Sequence, residues 1–269
     1  MTFKLQHYMN LSLENKTAII CGSTQGIGLA IAVELAALGA NCILMARNEI
    51  VLKDALKLLP QKNEQVHSYI VADFSNADNV KLVIEDFMKV HTVHILINNT
   101  GGPAGGAIVD AKEEDFINTF NQHLICNHIL TKAVVPSMKK EGYGRIINII
   151  STSVKIPLHN LGVSNTIRGA VASWAKTMAN ELGQFNITVN NVLPGATNTG
   201  RLQNIIKTNA SKKEKEIAEI EKEMQQEIPM KRFGEASEIA AVAAFLASPA
   251  ASYINGVSIP VDGGRTGAL

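Results

Sequence analysis

Short apolar runs and longer amphipathic stretches alternate along this chain from about residue 17 to residue 261. Apolar runs of about four to eight residues are typical of buried strands, and apolar positions that recur every three or four residues are typical of helices. The pattern predicts strands at 17–20, 41–46, 66–72, 93–97, 145–150, 187–193 and 257–261. It predicts helices at 29–38, 50–59, 79–90, 113–140, 163–182 and 235–247. This alternation indicates an α/β fold built on a parallel sheet.

The order of the predicted elements also bears on the number of domains and the place of a site. The 269 residues contain no linker rich in Pro, Gly or Ser, so we predict one domain that spans residues 1–269. Right-handed crossovers would place all the strands in one sheet. A ligand is then expected at the edge where the strands end, near the point where the strand order reverses.

A glycine-rich turn joins the first predicted strand to the first predicted helix. Residues 21–28 read Cys-Gly-Ser-Thr-Gln-Gly-Ile-Gly. Gly22 would allow a tight turn, Gly26 would let the backbone approach a pyrophosphate, and Gly28 would let helix and strand pack closely. The free N–H groups at the helix N-terminus would bind the phosphates. A plain turn is the alternative, but the strand before it and the helix after it favour a cofactor site.

Three further motifs follow the glycine turn. Residues 98–101 (Asn-Asn-Thr-Gly) follow the fourth strand, Pro194-Gly195 follows the sixth, and residues 261–264 (Val-Asp-Gly-Gly) lie near the C-terminus. With the GxxxGxG spacing of the turn, these motifs resemble the short-chain dehydrogenase/reductase family, and within it the 3-oxoacyl-ACP reductases. The resemblance implies a single-domain Rossmann fold with a doubly wound parallel sheet of about seven strands flanked by helices. It also implies NAD(P)(H) binding and oxidoreduction of a carbonyl or an alcohol.

The end of the second strand bears on the choice of cofactor. NAD-selective folds place a carboxylate there, whereas this strand is followed by Arg47, which can form a charge-assisted fork to a phosphate. In the family that the chain resembles, Arg at this position goes with NADP, and Ser23 could support the same phosphate. Gln25 departs from the pattern, since many NADP-using members carry a basic residue there. An ordinary solvated arginine is the alternative to a phosphate ligand. We predict NADP(H) rather than NAD(H).

Other cofactor contacts follow from the resemblance. Asp73 would accept a hydrogen bond from the adenine amino group, although a helix N-cap or a turn carboxylate is an equally good interpretation. Asn98 would tie neighbouring strands together, and Thr199 would lie near the nicotinamide. The predicted cofactor-binding residues are Gly22, Ser23, Gln25, Gly26, Ile27, Gly28, Arg47, Asp73, Asn99, Gly101, Arg168, Pro194, Gly195, Thr197 and Thr199.

The predicted catalytic site departs from the family pattern. The resemblance implies an Asn, a Ser, a Tyr and a Lys, and Ser151 occupies the serine position. Ser164 follows it by 13 positions, the usual interval from serine to tyrosine, and Arg168 falls at the lysine position. Residues four apart on a helix share one face, so a hydroxyl and a cation stay together. Because a serine hydroxyl is a far weaker acid than a phenol, the usual proton donor is missing.

Two histidines are candidates for the missing proton transfer. His159 lies in the predicted loop between Ser151 and Ser164, and histidine is a common proton-transfer residue, but an ordinary surface histidine is equally plausible. His123 falls at the position that the resemblance assigns to the asparagine, and a packed core histidine is the alternative. A water molecule on Ser164 is a third route for the proton.

Composition excludes several classes of function and leaves assembly open. The formal net charge of +1 and the low aromatic content disfavour a nucleic-acid module, and no apolar run approaches the length of a membrane span. We predict a cytoplasmic protein with no metal site and with buried, reduced cysteines. Residues 200–230 are polar and predict either a substrate lid or a simple exposed helix. The two long predicted helices resemble those through which family members form dimers and tetramers, so a homodimer or homotetramer is expected.

The function predicted from the sequence is an NADP(H)-dependent short-chain oxidoreductase with an altered proton-donor site. Hydride would pass between the nicotinamide and a small-molecule carbonyl or alcohol. The alternative is a catalytically impaired NADP(H)-binding sensor or scaffold protein, because intact nucleotide motifs fit that role equally well.

Overall fold

The computed structural model describes residues 9–62 and 64–268. The strands in this part of the chain are β1 (Thr17–Cys21), β2 (Asn41–Ala46), β3 (Ser68–Val71), β4 (Ile95–Asn98), β5 (Gly144–Ile149), β6 (Ile187–Pro194), β7 (Thr197–Asn198), β8 (Gly234–Glu235) and β9 (Ser258–Val261). Seven of them form one parallel sheet in the order β3-β2-β1-β4-β5-β6-β9. This arrangement confirms the predicted single-domain Rossmann fold.

Helices cover both faces of the sheet. They are α1 (Gly26–Ala37), α2 (Glu49–Leu56), α3 (Ala77–Phe87), α4 (Glu113–Phe120), α5 (Cys126–Glu141), α6 (Gly162–Leu182), α7 (Gly200–Lys213), α8 (Ile217–Gln226) and α9 (Ala236–Ala247). Buried side chains of α1, α2 and α9 pack on one face, and those of α3, α5 and α6 pack on the other. Within the described residues, no helix combines the length and the apolar character that crossing a membrane requires.

The strand order reverses between β1 and β4, which are neighbours in the sheet, with Ile20 opposite Ile97. In doubly wound sheets the crevice beside this point, at the carboxyl ends of the strands, is where ligands bind. The glycine turn follows β1 and the Asn98–Gly101 motif follows β4, so both motifs lie at this crevice.

A row of buried amide side chains crosses the sheet near its carboxyl edge. The Asn98 side chain donates to Asn148 at 2.8 Å, and Asn148 donates to Asn191 at 2.9 Å. Asn191 in turn donates to the Ser258 hydroxyl at 3.0 Å. These bonds tie β4, β5, β6 and β9 together, as was expected for Asn98. Paired amides in the core also favour one strand register, because a slip would leave them buried without partners.

Two features of the backbone were not predicted. The predicted helix at 113–140 is interrupted at Asn121–Ile125 by a π-helical stretch, in which the Cys126 N–H bonds to the Asn121 carbonyl. β7 and β8 form a separate two-stranded sheet, with Thr197 opposite Gly234. A strand of two residues is too short to produce an alternating apolar pattern. A π-helical stretch shifts the helical hydrogen bonds by one residue and hardly changes the apolar pattern.

The segment between β7 and β8 contains α7 and α8, which have a small apolar cluster of their own. This cluster includes Leu202, Ile206, Ala210, Ile220, Ile228 and Phe233. The charged positions predicted to face solvent do so, with Lys215 paired to Glu219 at 2.7 Å. The role of residues 200–230 as a substrate lid stays a prediction.

The three cysteines are buried free thiols, as predicted. Burial raises the pKa of Cys42 to about 12 and that of Cys126 to about 11, and it also raises the pKa of Cys21. Since the thiolate is the reactive form, these residues are inert in the folded chain.

Candidate active site

The glycine turn is built so that only glycine fits at two of its positions. Gly22 has a φ of 58°, and a Cβ there would lie 2.5 Å from the Asn99 carbonyl oxygen. A Cβ on Gly28 would lie 2.2 Å from the Gly22 carbonyl oxygen. Gln25 is the N-cap of α1 but makes no side-chain cap bond, so the first N–H groups of the helix remain available to a ligand. This arrangement fits a phosphate group at the helix N-terminus.

Residues from three other segments surround the turn. The Asn99 side chain donates to the carbonyls of Cys21 and Gly22, both at 3.2 Å, which binds the end of β4 to the turn. Thr199 lies beside Gly26, since a Cβ on that glycine would be 3.4 Å from the threonine Cγ2. The predicted residues after β1, β4 and β6 therefore meet at one sheet edge.

An open cleft of about 760 Å³ lies beyond the turn, at the ends of β2 and β3. It is lined by Arg47, Asn48, Glu49, Ile50, Val71, Asp73, Asn76 and Asn79. Hydrogen bonds from Ser75, together with the nearby Arg47, lower the pKa of Asp73. Among the described residues Arg47 makes no ion pair, whereas Glu49 is paired with Lys53 at 2.8 Å. The cleft therefore offers an exposed guanidinium that a phosphate could engage.

Ser151 and Arg168 lie at the end of β5, and Ser164 precedes Arg168 by one turn of α6. Ser151 follows β5, and its Oγ accepts a hydrogen bond from the Ser153 N–H at 3.1 Å. Ser164 and Arg168 are both buried on α6, and the Arg168 guanidinium donates to the Ile149 carbonyl at 2.9 Å. This bond fixes the cation against the last residue of β5, two positions before Ser151. Burial, and then the charge of Arg201, lower the pKa of Arg168 to about 10, so it stays cationic at neutral pH.

His123 lies in the π-helical stretch and is 1% exposed. Its Nδ1 is 2.6 Å from the Thr100 Oγ1, and its Nε2 is buried with no hydrogen-bond partner among the described residues. Burial is the largest cause that lowers its pKa to about 2, and the cations of Arg168 and Arg201 act in the same direction. A histidine in this setting is neutral throughout the physiological range. The π-helical stretch turns this side chain toward Thr100, and such stretches occur often at functional sites.

With this geometry in view, comparison with known proteins identifies the family. A family model described as enoyl-(acyl carrier protein) reductase matches residues 22–266. The NADPH-dependent reductase BacG of Bacillus subtilis (strain 168) is 34% identical over 260 residues, which cover 94% of this chain and 98% of that protein. The chain belongs to the short-chain dehydrogenase/reductase family. The 3-oxoacyl-[acyl-carrier-protein] reductase FabG of Pseudomonas aeruginosa is 33% identical over 258 residues, which cover 94% of this chain and 98% of FabG.

Solved structures of the short-chain dehydrogenase/reductase family superimpose over nearly the whole chain. YwfH, an NADPH-dependent reductase involved in bacilysin biosynthesis, has a TM-score of 0.89 at 31% identity, covering 94% of this chain and 99% of YwfH. The L-sorbose reductase of Gluconobacter frateurii, in complex with NADPH and L-sorbose, has a TM-score of 0.90 at 30% identity. That alignment covers 97% of this chain and 100% of the sorbose reductase.

The structure gives the surroundings of three further predicted site residues. Ser23 is fully buried and accepts the Met45 N–H at 3.1 Å, so its hydroxyl joins β1 to β2 and does not line the Arg47 cleft. Asp73 is not a helix N-cap, because Asn76 caps α3. It accepts the N–H of Ser75 in a turn and also lines the cleft beside Arg47, so the adenine contact stays a prediction. His123, a candidate acid, is buried, and the burial that lowers its pKa disfavours an imidazolium donor at neutral pH.

His159 and the tyrosines are not joined to this site by hydrogen bonds in the described part of the chain. His159 is exposed in the loop before α6. Tyr69 donates to Glu49 at 2.8 Å, and Tyr143 donates to the Ala247 carbonyl at 2.6 Å, far along the sheet from Ser151. Tyr253 is fully exposed.

Arg201 is a site residue that the sequence did not indicate. It lies in the first turn of α7, and its guanidinium donates to the carbonyls of Gly102 at 2.7 Å and Pro103 at 3.2 Å. These carbonyls belong to the glycine-rich loop that follows Thr100. Because about one hundred residues separate the partners, no local pattern could reveal the contact. One indirect signal was present in the sequence: Arg201 is a cation at a helix N-terminus, where the helix dipole disfavours it, so a contact elsewhere in the protein was to be expected.

Proposed function

We propose that the chain is an NADP(H)-dependent oxidoreductase that interconverts a carbonyl compound and the matching alcohol, with an altered proton-donor site. The observation that carries the proposal is the meeting, at one sheet edge, of an anion-binding glycine turn with Ser151 and the buried cation of Arg168. Support comes also from its relatives, because BacG is named as NADPH-dependent and the sorbose reductase holds NADPH.

The residues present fit this cofactor. The glycine turn and the free N–H groups of α1 would hold the pyrophosphate. Arg47 would bind the 2′-phosphate, and Asp73 would meet the adenine in the same cleft. Arg168 would hold the nicotinamide ribose, while Asn99, Gly101, Pro194, Gly195, Thr197 and Thr199 would border the nicotinamide end.

Ser151 and Arg168 supply the polar groups that the reaction needs. When bound, NADPH supplies the hydride that adds to the carbonyl carbon and leaves as NADP+, while a proton must reach the carbonyl oxygen. The Ser151 Oγ accepts the Ser153 N–H, which fixes the oxygen and leaves its proton free to donate to the substrate carbonyl. Arg168 places a permanent charge where negative charge develops on that oxygen.

Of the three routes that the sequence left open for the proton, we retain the two that do not need a charged His123. Ser164 is too weak an acid to act alone, but it can position a water molecule beside Arg168. His159 is the other donor, and its loop contacts the glycine-rich loop through the Gly106 N–H, which donates to the Asn160 carbonyl at 2.8 Å.

Variants of the two residues decide between the routes. If water on Ser164 relays the proton, Ser164→Ala lowers kcat by about 100-fold while His159→Ala leaves it near that of wild type. The opposite result assigns the role to His159. Thr166→Val is a matched control, because this threonine is exposed on α6 and donates to the Gly162 carbonyl. If neither alanine variant lowers kcat, both assignments are wrong.

Cofactor selection is tested by titrating NADPH and NADH at one salt concentration. We expect Arg47→Ala to weaken NADPH binding by about 10- to 100-fold, since a charge-assisted bond contributes about 1.5–3 kcal/mol, and to leave NADH binding nearly unchanged. Lys57→Ala removes a cation of the same region that does not line the cleft. Tighter binding of NADH than of NADPH to the wild-type protein would refute the assignment.

The alternative is an NADP(H)-binding sensor or scaffold with no turnover. In an active enzyme, Arg168→Ala abolishes hydride transfer. In a sensor, NADPH binds but no carbonyl or alcohol of a broad panel reacts, whereas a tyrosine-bearing relative reacts in the same assay.

We infer that the protein assembles as a homodimer or homotetramer. The outer side of α4 exposes Ile117 and Phe120, which are 58% and 38% exposed. Apolar side chains of this size on one helix are typical of a subunit contact. Light scattering should give two or four times the mass of one chain, and a monomer at micromolar concentration would contradict the inference. The cytoplasmic location stays a prediction.

A further inference from the structure

Two arginines at the candidate active site have no anionic partner within the part of the chain that the structure describes. Arg168 is buried and donates to the carbonyl of Ile149. Arg201 donates to the carbonyls of Gly102 and Pro103. The ion pairs found among the described residues include neither arginine. A cation as buried as Arg168 normally has a counter-charge, because its desolvation is costly.

The placement of Arg201 is not explained by the stability of its helix. It lies in the first turn of α7, where the helix dipole disfavours a cation, and no acidic residue shares that turn. The guanidinium also packs directly on a glycine, since a Cβ on Gly102 would lie 2.7 Å from its Nη2. A residue held this way at the start of the predicted lid faces the loop that borders the nicotinamide end.

The surroundings of these arginines are positive. The charge of Arg201 contributes to the lowered pKa values of Arg168 and of His123, after burial in each case. His123 is neutral and so does not offset these charges, and its buried Nε2 has no hydrogen-bond partner among the described residues. Two cations without anionic partners beside one site favour an anionic ligand.

We propose that Arg201 binds a carboxylate of the substrate, so that the enzyme acts on oxo acids and hydroxy acids in preference to neutral ketones and alcohols. A guanidinium has five N–H donors, and the two carbonyl contacts leave donors for a carboxylate. The carboxylate would lie between the glycine-rich loop and α7, with Arg168 on the side of Ser151. The inference rests on the proposed oxidoreductase function and adds the class of its substrate.

The test compares acids with their neutral esters. The probes are 2-, 3- and 4-oxopentanoate and the methyl ester of each, with NADPH as reductant. For the best acid, we expect wild-type kcat/KM to exceed that of its ester by about 10- to 100-fold. Arg201→Gln should remove most of this preference by lowering kcat/KM for the acid, while the value for the ester changes by less than about threefold.

Two further variants separate the proposal from a general effect on α7. Lys207→Gln removes the same charge from an exposed position of that helix and should leave the preference intact. Gly102→Ala keeps the charge but displaces the guanidinium, so it should lower the preference in the same direction as Arg201→Gln. Far-UV circular dichroism of every variant confirms that each one is folded, and the affinity for NADPH is measured separately.

Three results would overturn the proposal. The first is equal kcat/KM for acids and esters in the wild-type protein. The second is an equal loss for acid and ester in Arg201→Gln. The third is weaker NADPH binding in that variant, which would assign Arg201 to the cofactor phosphates. If neither acid nor ester is reduced, the oxidoreductase proposal fails. Calorimetric binding of each pair to the NADPH complex then still tests whether Arg201 selects the carboxylate.

Discussion

The neutral, buried His123 predicts a specific dependence of stability on pH. In the folded protein its pKa is lowered to about 2, first by burial and then by Arg168 and Arg201. In the unfolded chain the imidazole titrates near its ordinary pKa of 6.5. As the pH falls below that value, the unfolded chain takes up a proton that the folded protein does not. The stability due to the neutral imidazole is therefore present above pH 6.5 and is lost as the pH falls toward 2.

The size of the effect follows from the difference between these two pKa values. Each pH unit within the window costs about 1.4 kcal/mol for one group. Between pH 7 and pH 5 this loss amounts to about 2 kcal/mol for a histidine that stays neutral in the folded state. Solvent does not screen a charge on this imidazole in the folded protein, because the residue is 1% exposed.

Urea unfolding at pH 7 and pH 5 measures this term. The change in the free energy of unfolding between the two pH values should be smaller by about 2 kcal/mol in His123→Asn than in the wild-type protein. Thr100→Val is the control, because it removes the hydroxyl at 2.6 Å and keeps the imidazole, so the wild-type change should persist. The same change in His123→Asn as in the wild type would refute the account of this site.

Three further predictions concern the glycine turn, the amide row and the thiols. Gly28→Ala places a Cβ 2.2 Å from the Gly22 carbonyl oxygen, so NADPH binding should fall below detection in calorimetry; unchanged affinity would show that the turn does not hold the cofactor. Asn148→Leu leaves the buried side chains of Asn98 and Asn191 without their hydrogen-bond partner, so the free energy of unfolding in urea should fall by about 2–5 kcal/mol. A decrease below about 1 kcal/mol would contradict the role of the amide row. The three buried cysteines should react with a thiol reagent only when the protein unfolds, and rapid labelling of the native protein would be inconsistent with their burial.

Much of the fold follows from local signals in the sequence. The strand at 41–46 was predicted with the bounds that the structure has, because a run of apolar residues is followed directly by polar ones. The glycine turn was predictable because Gly22 and Gly28 have no room for a side chain. The π-helical stretch at Asn121–Ile125 was not, because its apolar positions fit a continuous α-helix as well.

The site was predictable only where one segment carries the signal. Ser151, Ser164 and Arg168 were assigned from the family resemblance and its intervals, and the structure places Ser151 and Arg168 at the end of β5. The contact of Thr100 with His123 joins residues on two segments, and so does the contact of Arg201 with Gly102. Such pairs depend on how the loops fold over the sheet edge, so composition and periodicity carry no trace of them.

The central claim is that this site transfers hydride from NADPH to a carbonyl carbon without a tyrosine. Incubation of the wild-type protein with NADPH deuterated at the transferred position and a panel of oxo acids and ketones tests it directly, with mass spectrometry of the products. The account predicts an alcohol product that carries the deuterium, and loss of that product in Arg168→Ala. Saturated NADPH binding with no labelled alcohol, while a tyrosine-bearing relative labels the same panel, would contradict it.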